Sequence, residues 1–94
     1  MVNAVVLLNV ERKQINAVAE KLADLDHVTE VYSVSGRYDL IALVRVCDVD
    51  DLANVATREM AKVEGIVHSE TLLAFRTYSR HDLERLFSVG GEGP

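Results

Sequence analysis

Four consecutive residues, Gly36-Arg37-Tyr38-Asp39, carry the groups best suited to binding a small molecule. Gly36 is the only glycine in the first half of the chain, so a tight turn with a left-handed backbone is expected there. Such a turn leaves backbone N–H groups unpaired and concave, which suits a carboxylate. Asp39 could pair with an ammonium group, or it could instead accept from turn amides as an Asx motif. The stretch predicts a receptor for a small zwitterion, with Arg37 as a solvated turn residue in the simpler interpretation.

Two hydroxyl side chains, those of Ser69 and Thr71, occupy alternate positions in the last strand-like stretch. Alternate residues of a strand share one face, so both hydroxyls are expected on the same side of the sheet. They could line the same pocket as the glycine turn. The alternative is that they form ordinary strand surface or a dimer contact.

Metal-binding and catalytic centres have few candidates in this sequence. Asp48, Asp50 and Asp51 precede a helical pattern, where carboxylates cap the helix N-terminus. A divalent-cation site is the alternative, but no glycine supplies the bend of a shaped loop. The histidines fall in a turn, at a strand start and at a helix start, so that no two share a helix face as metal ligands do: His27, His68 and His81.

Acid–base chemistry has one candidate pair, His68 and Glu70, which share a strand face. A solvated surface pair is the simpler interpretation. The chain has no Ser-His-Asp signature, no phosphate loop and no CxxC motif. We therefore expect no catalytic residue, no metal and no cofactor.

Composition limits the classes of partner. The chain has 94 residues, of which 49% are apolar and 27% charged, as expected for one folded domain. The net charge of −5, with scattered Lys and Arg, argues against direct contact with nucleic acid. No apolar stretch is long enough for a membrane span. Cys47 is the only cysteine, so an internal disulfide is excluded and a reducing, cytoplasmic setting is favoured. The simpler interpretation of Cys47 is a small buried hydrophobic residue, and the alternative is a reactive thiol.

The apolar pattern alternates between strands and helices. Strands are expected over Ala4–Val10, Val28–Val34, Asp39–Val46 and within Ile66–Tyr78. Between them, apolar residues at helical spacing predict two amphipathic helices, the first with Ile15, Val18, Ala19, Leu22 and Leu25, the second with Leu52, Val55, Ala56, Met60 and Val63. Gly65 is expected to cap the second helix.

The two halves repeat one β-α-β pattern, because the helix-ending residues Leu25 and Val63 are 63 − 25 = 38 positions apart and the other apolar positions follow the same offset. Two such units predict an α+β, ferredoxin-like split β-α-β fold (βαββαβ), with a four-stranded antiparallel sheet and both helices on one face. The strands are apolar on both faces, so the bare face is expected to meet a second copy in a dimeric α+β-barrel-type assembly.

The chain is expected to divide into a ligand-binding and oligomerisation domain, residues 1–78, and a C-terminal segment, residues 79–94. The segment Ser79-Arg80-His81-Asp82 has the pattern of a capping box and precedes a short helix with an apolar stripe at Leu83, Leu86 and Phe87. The stripe could dock on the chain's own core or on a neighbouring subunit. A flexible glycine-rich tail follows.

Two motifs carry a family resemblance: Val28-x-x-Val31-Tyr32-x-Val34-x-Gly36-x-Tyr38-Asp39, and Gly65-Ile66-Val67-x-Ser69-x-Thr71 before an aliphatic strand. Together with the β-α-β spacing over about residues 3–77, they resemble the effector-binding (RAM) domain of the Lrp/AsnC (feast/famine) transcriptional regulators. Since Met1 opens directly on the first strand, the chain resembles a stand-alone form that lacks the helix-turn-helix.

The resemblance implies a homodimer that assembles into a higher oligomer such as an octamer-like ring. It also implies an amino-acid effector at the dimer–dimer boundary, in a pocket lined by Gly36, Arg37, Tyr38, Asp39, Ser69 and Thr71. Such a protein would modulate transcription by assembling, for instance with a full-length Lrp/AsnC regulator, without itself binding DNA. The alternatives are a small dimeric α+β-barrel enzyme, monooxygenase- or isomerase-like, with a cavity near His68, and a structural oligomer with a vestigial pocket.

Overall fold

The structure of the protein, a computed structural model, describes residues 1–80. Within them the chain forms β1 (Val2–Val10), α1 (Ile15–Ala23), β2 (Val28–Ser33), β3 (Leu40–Val46), α2 (Val49–Asn54) and β4 (Ile66–Ala74). A 3-10 turn, Arg12–Gln14, precedes α1, and α2 continues through a π-helical turn, Val55–Glu59, and a 3-10 turn, Met60–Lys62. The helix expected at Leu83, Leu86 and Phe87 lies outside the described residues, as does most of the segment 79–94.

The four strands form one antiparallel sheet in the order β2-β3-β1-β4. β1 therefore lies in the interior of the sheet and pairs with both β3 and β4. One row of the register joins Leu40, Leu8 and Ser69 across these three strands. The α+β, ferredoxin-like arrangement predicted from the repeated β-α-β pattern is confirmed.

Both helices cover the same face of the sheet, which we call the helix face. Apart from Val2 at the start of β1, which is half-buried, every second residue of the two interior strands is buried there: Ala4, Val6, Leu8 and Val10 on β1, and Leu40, Ala42, Val44 and Val46 on β3. Val18 and Leu22 of α1 and Leu52 of α2, with Val55 and Met60 beyond it, complete the same core cluster. The helical spacing of the apolar residues thus identifies the buried stripes correctly.

The opposite side of the sheet, which we call the open face, has no helix over it within residues 1–80. Its residues alternate with those of the core and are half-buried at its centre: Val5, Leu7, Ile41 and Leu43. Leu72 of β4, paired with Val5, is 47% exposed. The expectation that the strands are apolar on both faces is confirmed for β1 and β3.

The two local predictions at the ends of the second helix differ in outcome. The Asp48 side chain accepts a hydrogen bond from the backbone N–H of Asp51 at 2.8 Å, which caps α2 as expected. Gly65 has a positive φ of +102°, but the C-cap of the last helical turn is Val63, two residues earlier, so the prediction that Gly65 caps the helix is wrong. Within residues 1–80, no group of three or more His, Cys, Asp or Glu side chains is placed to hold a metal ion.

The interpretation of Cys47 as a buried hydrophobe is wrong. The side chain is exposed, because β3 ends at Val46 and the chain bends away from the core immediately afterwards. The apolar run thus ends one residue earlier than composition suggests. In the part of the chain that the structure describes, no helix is long and apolar enough to cross a membrane.

Gly65→Ala tests the packing that fixes the start of β4. An added Cβ would lie 2.6 Å from the Gln14 side-chain oxygen and 2.9 Å from a methyl carbon of Val18, on a backbone that side chains rarely adopt. We expect unfolding free energy to fall by about 2–4 kcal/mol, since strain and overpacking add. Urea unfolding would measure it.

Gly36→Ala is the matched control, because its φ is +117° but an added Cβ there meets nothing within 4 Å. It should cost only the backbone strain, about 1–2 kcal/mol. Equal losses for the two variants would contradict the role given to the contacts with α1.

Candidate ligand-binding site

The turn between β2 and β3 is closed by the backbone. The N–H of Val34 donates to the carbonyl oxygen of Asp39 at 3.0 Å, and Gly36 supplies the positive φ of +117° that the turn requires. The space beside Gly36 is open. The predicted glycine turn is therefore present, with its outer side accessible.

Three consecutive residues of β1 hold this turn in place. The backbone carbonyl of Leu8 accepts from the N–H of Asp39 at 2.9 Å. The side-chain amide of Asn9 donates to the carbonyl of Arg37 at 2.9 Å, and the N–H of Val10 donates to Oδ2 of Asp39 at 2.9 Å. Val10 follows Leu8 by two residues, so its N–H lies on the same edge of β1 as the Leu8 carbonyl, the edge that adjoins β3. The end of the interior strand thereby fixes the position of the turn.

Asp39 does not form the Asx motif that was one of the two interpretations made from sequence. Its carboxylate is not bonded to the amides of its own turn; one oxygen accepts from the neighbouring strand instead. The other oxygen, Oδ1, accepts no hydrogen bond from residues 1–80. Likewise the N–H groups of Gly36, Arg37 and Tyr38 donate to no acceptor among the described residues. A row of unpaired donors thus lies beside an unpaired carboxylate oxygen.

Tyr38 extends from the turn across the end of β1 to β4. Its hydroxyl donates to Oε2 of Glu70 at 2.6 Å. This hydrogen bond to a carboxylate is the main reason that the pKa of Tyr38 lies above its usual value of 10.0; burial and the negative charge of Glu70 add to the shift, and the positive charge of Arg37 opposes it. The contact restrains the turn and places Glu70, which sequence reasoning did not assign to the site, at its border.

Ser69 and Thr71 share one face, as predicted, and it is the helix face. The register pairs Ser69 with Leu8 and Thr71 with Val6, both core residues. Their hydroxyls are therefore on the opposite side of the sheet from the Tyr38–Glu70 contact, since Glu70 pairs with Leu7. Ser69 lies two strands from β3, roughly 10 Å away at the usual strand spacing. Within one chain, the six predicted residues do not converge on one pocket, since Thr71 pairs with Val6 in the middle of β1 and the turn lies beyond the end of the sheet.

The candidate acid–base pair, His68 and Glu70, shares the open face, as predicted, and both residues are exposed. A concavity of about 190 Å³ lies on the other side of the sheet, where Ser69 is its one hydroxyl-bearing residue among apolar neighbours from β1 and the end of the second helix. Neither His68 nor Glu70 lines this concavity.

Comparison with known proteins identifies the family. The family model described as the Lrp/AsnC ligand-binding domain matches residues 3–83. The chain belongs to this family. The resemblance read from the two sequence motifs is therefore confirmed over nearly the whole chain.

The curated relatives of this Lrp/AsnC domain are transcriptional regulators. An HTH-type transcriptional regulator of Pyrococcus furiosus is 34% identical over 68 residues, which are 72% of this chain and 46% of the relative. The HTH-type transcriptional regulator LrpA of Pyrococcus horikoshii is 35% identical over 49 residues, 52% of this chain and 35% of LrpA. The chain spans about half the length, or less, of the curated relatives it matches.

Solved structures show the same fold. A crystal structure of a Thermus thermophilus protein is 48% identical, with a TM-score of 0.80, over 85% of this chain and all of that one. AsnC of E. coli is 25% identical, with a TM-score of 0.77, over 83% of this chain and 53% of AsnC. A transcriptional regulator of Neisseria meningitidis, solved as a complex with L-Met, shares the fold alone: 10% identity, TM-score 0.75, 84% of this chain and 53% of the regulator.

Sequence reasoning missed the residues that hold the turn from outside it. Asn9 was visible as a polar interruption near the end of an apolar strand, but its partner Arg37 is 28 positions away. Val10 acts through its backbone N–H and gives no sequence signal. Glu70 was considered from the sequence only as an acid–base partner of His68, and not as a partner of Tyr38.

Replacing Glu70 should change the alkaline titration of Tyr38. Because the hydrogen bond to Glu70 raises the Tyr38 pKa, the folded protein keeps this proton to higher pH than the unfolded chain. Its contribution to stability is therefore complete below about pH 10 and is lost as the pH rises through the folded-state value. Glu70→Gln should lower the Tyr38 pKa toward 10.0, measured by near-ultraviolet phenolate absorbance.

Tyr38→Phe identifies which part of that absorbance belongs to this residue, since the chain has three tyrosines. Glu20→Gln, at an exposed position of α1, is the control and should leave the titration unchanged. An unaltered titration in Glu70→Gln would show that the Tyr38–Glu70 hydrogen bond does not form in solution.

Proposed function

We propose that this domain binds a small amino-acid effector at the Gly36–Asp39 turn and oligomerises through its open face. In this proposal it modulates transcription by assembling with regulators of its family, and it does not contact DNA itself. The observation that carries the proposal is the row of unpaired N–H groups at Gly36, Arg37 and Tyr38 beside the unpaired Oδ1 of Asp39.

The carboxylate of the effector is assigned to the turn amides. Successive N–H groups around a positive-φ glycine form a concave donor site that suits an anion. The hydrogen bonds from β1 hold the site open before any ligand arrives, which reduces the entropy lost on binding. Adding a Cβ at Gly36 meets nothing within 4 Å, so ligand atoms have room to approach the backbone.

The ammonium group is assigned to Asp39. One carboxylate oxygen holds the Val10 N–H, while the other is available for a charge-assisted hydrogen bond. A single side chain thus both fixes the turn and supplies the negative charge that an α-amino acid requires.

Ser69 and Thr71 are assigned to the site of a neighbouring chain. They are exposed on β4, an outer strand of the sheet, and their face is opposite that of the Tyr38–Glu70 contact. Exposed hydroxyls on an outer strand can reach across a boundary between chains. This arrangement agrees with an effector bound between dimers, which the family resemblance implies.

The net charge of the chain and the apolar residues of the open face favour assembly with other copies over contact with DNA. The net charge of −5 opposes association with phosphates, so contact with DNA would require a basic partner. The partly exposed apolar residues at the centre of the open face leave area that a second copy can bury. An isologous pair of such faces gives a closed dimer.

Thermal unfolding in the presence of each common amino acid tests effector binding. A ligand that binds only the native state adds about 2.7 kcal/mol at a hundredfold excess over its dissociation constant. For a domain of this size, each kcal/mol raises the unfolding temperature by roughly 4–8 °C. The L-Met complex of the Neisseria regulator makes L-methionine a natural first member of the panel. A panel without any shift would contradict the effector site.

Asp39→Asn separates the two roles of Asp39. Asparagine keeps an oxygen that can accept from Val10, so stability should remain close to that of the parent protein. It removes the charge and replaces the second oxygen, so affinity for the effector should fall by roughly tenfold or more. Asp26→Asn, at an exposed turn position, is the matched control. Unchanged affinity in Asp39→Asn would exclude Asp39 as the ammonium partner.

Ile41→Glu tests the open face as the interface. A carboxylate at the centre of this face would be buried unpaired between two copies, a cost of several kcal/mol, so the variant should sediment as a monomer. Ala17→Glu, on the exposed side of α1, should sediment as the parent protein does. An Ile41→Glu protein with the parent's oligomeric state would place the interface elsewhere.

A further inference from the structure

We propose that two reciprocal ion pairs, each between Arg45 of one copy and Glu30 of the other, determine which chains associate through the open face. This inference rests on the proposed function, in which the open face is the interface between two copies, and it adds the groups that select the partner. The partner selected is a second copy of this chain. A chain that carries like charges at the two positions would be excluded.

Arg45 and Glu30 lie close together on the open face but on neighbouring strands. Glu30 of β2 is paired with Leu43 of β3, and Arg45 is two residues further along β3, on the same face. In a sheet of usual geometry such diagonal neighbours are about 7–8 Å apart. Both side chains are exposed, and both line one concavity of about 410 Å³. A positive and a negative group thus share one small area of this face.

The two charges are held apart within the chain. Nε of Arg45 donates to the side-chain oxygen of Asn3 at 2.9 Å, and Asn3 belongs to β1, on the side of β3 away from Glu30. Oε2 of Glu30 accepts a hydrogen bond from the hydroxyl of Tyr32, further along β2. Within residues 1–80, the terminal guanidinium nitrogens donate to no acceptor, and Oε1 of Glu30 accepts no hydrogen bond. Both groups are therefore oriented and retain atoms that can bond to a partner.

Packing of two open faces would take both charges out of water. Val5 and Leu43 line the same concavity and are half-buried in one chain, so an interface that covers them also covers Arg45 and Glu30. A buried charge without a partner is costly, whereas arginine and a carboxylate can form two parallel hydrogen bonds. Since the chain does not pair these charges itself, the second copy must supply the partners.

Two-fold symmetry makes this pairing reciprocal. In an isologous interface, a contact from residue i of one copy to residue j of the other is repeated from j to i. An area that carries one positive and one negative group, each with unpaired atoms, is therefore complementary to itself when the two-fold axis passes between the groups. The concavity leaves room for the Arg45 side chain of the second copy, and a close-packed interface requires that this space be filled.

Glu70 is the alternative carboxylate on the described part of the open face. It belongs to β4, so β1 lies between it and the strand of Arg45. Its Oε2 accepts from Tyr38, at the opposite end of β3 from Arg45. Glu30 is therefore the partner that two adjacent strands can exchange.

Charge reversal tests the pairing in the intact protein. In a homodimer, Arg45→Glu places two carboxylates at each contact, and Glu30→Arg places two guanidinium groups there. Each variant alone should dissociate, with the dissociation constant of its homodimer raised by roughly a hundredfold or more, as for loss of a buried charge pair. Analytical ultracentrifugation would measure the change, and far-ultraviolet circular dichroism would show that each variant is folded.

Mixing the two variants supplies the rescue. A heterodimer of Arg45→Glu with Glu30→Arg again has opposite charges at both contacts, so the mixture should recover the parent's oligomeric state. Native mass spectrometry should find the two variants in equal numbers in each assembly. The matched controls are Arg12→Glu and Glu20→Arg, at exposed positions beside and within α1. Each control should assemble alone as the parent does, and a mixture of the two should be random.

The double variant, with both reversals in one chain, tests selection of the partner. It should assemble with itself and exclude the parent protein, because a mixed pair would bring like charges together at both contacts.

Three results would overturn the inference. In the first, the single variants assemble as the parent does and mix at random while Ile41→Glu dissociates, which leaves the open face as the interface and the proposed function standing. In the second, the folded single variants dissociate but their mixture does not recover, so that Arg45 and Glu30 do not bind each other. In the third, Ile41→Glu also keeps the parent's oligomeric state, and the interface of the proposed function fails together with the ion pairs.

Discussion

The hydrogen bonds that join Leu8, Asn9 and Val10 to the β2–β3 turn are the interactions on which the candidate site depends. β1 lies between β3 and β4, so its end is fixed by pairing on both sides. A turn attached to that end takes its position from the core of the domain. The turn amides can therefore remain unpaired, because the hydrogen bonds to β1 keep the turn from rearranging.

Side chains of β1 also alternate between the two faces of the sheet. From Ala4 onward, each residue of β1 that faces the helices is buried, and its neighbours along the chain face the other way and are half-buried. Side-chain alternation thus places Ser69 and Thr71 on one face and Glu70 on the other, although the three residues are consecutive. An effector site that uses all six predicted residues would consequently require more than one chain, so the proposed function predicts that ligand binding depends on assembly.

Sequence periodicity was sufficient for the fold because the buried stripes repeat within each half of the chain. The spacing of Val18, Leu22 and Leu52 identifies the covered faces, and Gly36 and Gly65 mark turns that need positive φ. The candidate site was only partly predictable, because its geometry depends on contacts between residues far apart in sequence. Asp39 bonds to a backbone N–H 29 positions away, which no local pattern indicates.

The central claim is that a ligand carboxylate binds the N–H groups of Gly36, Arg37 and Tyr38. The most direct measurement is the backbone amide NMR spectrum of the protein titrated with an amino acid that raises its unfolding temperature. The account predicts that these three amide signals move downfield together and saturate with one dissociation constant, as new hydrogen bonds to an anion form. Saturable binding that leaves all three amide signals in place would contradict it.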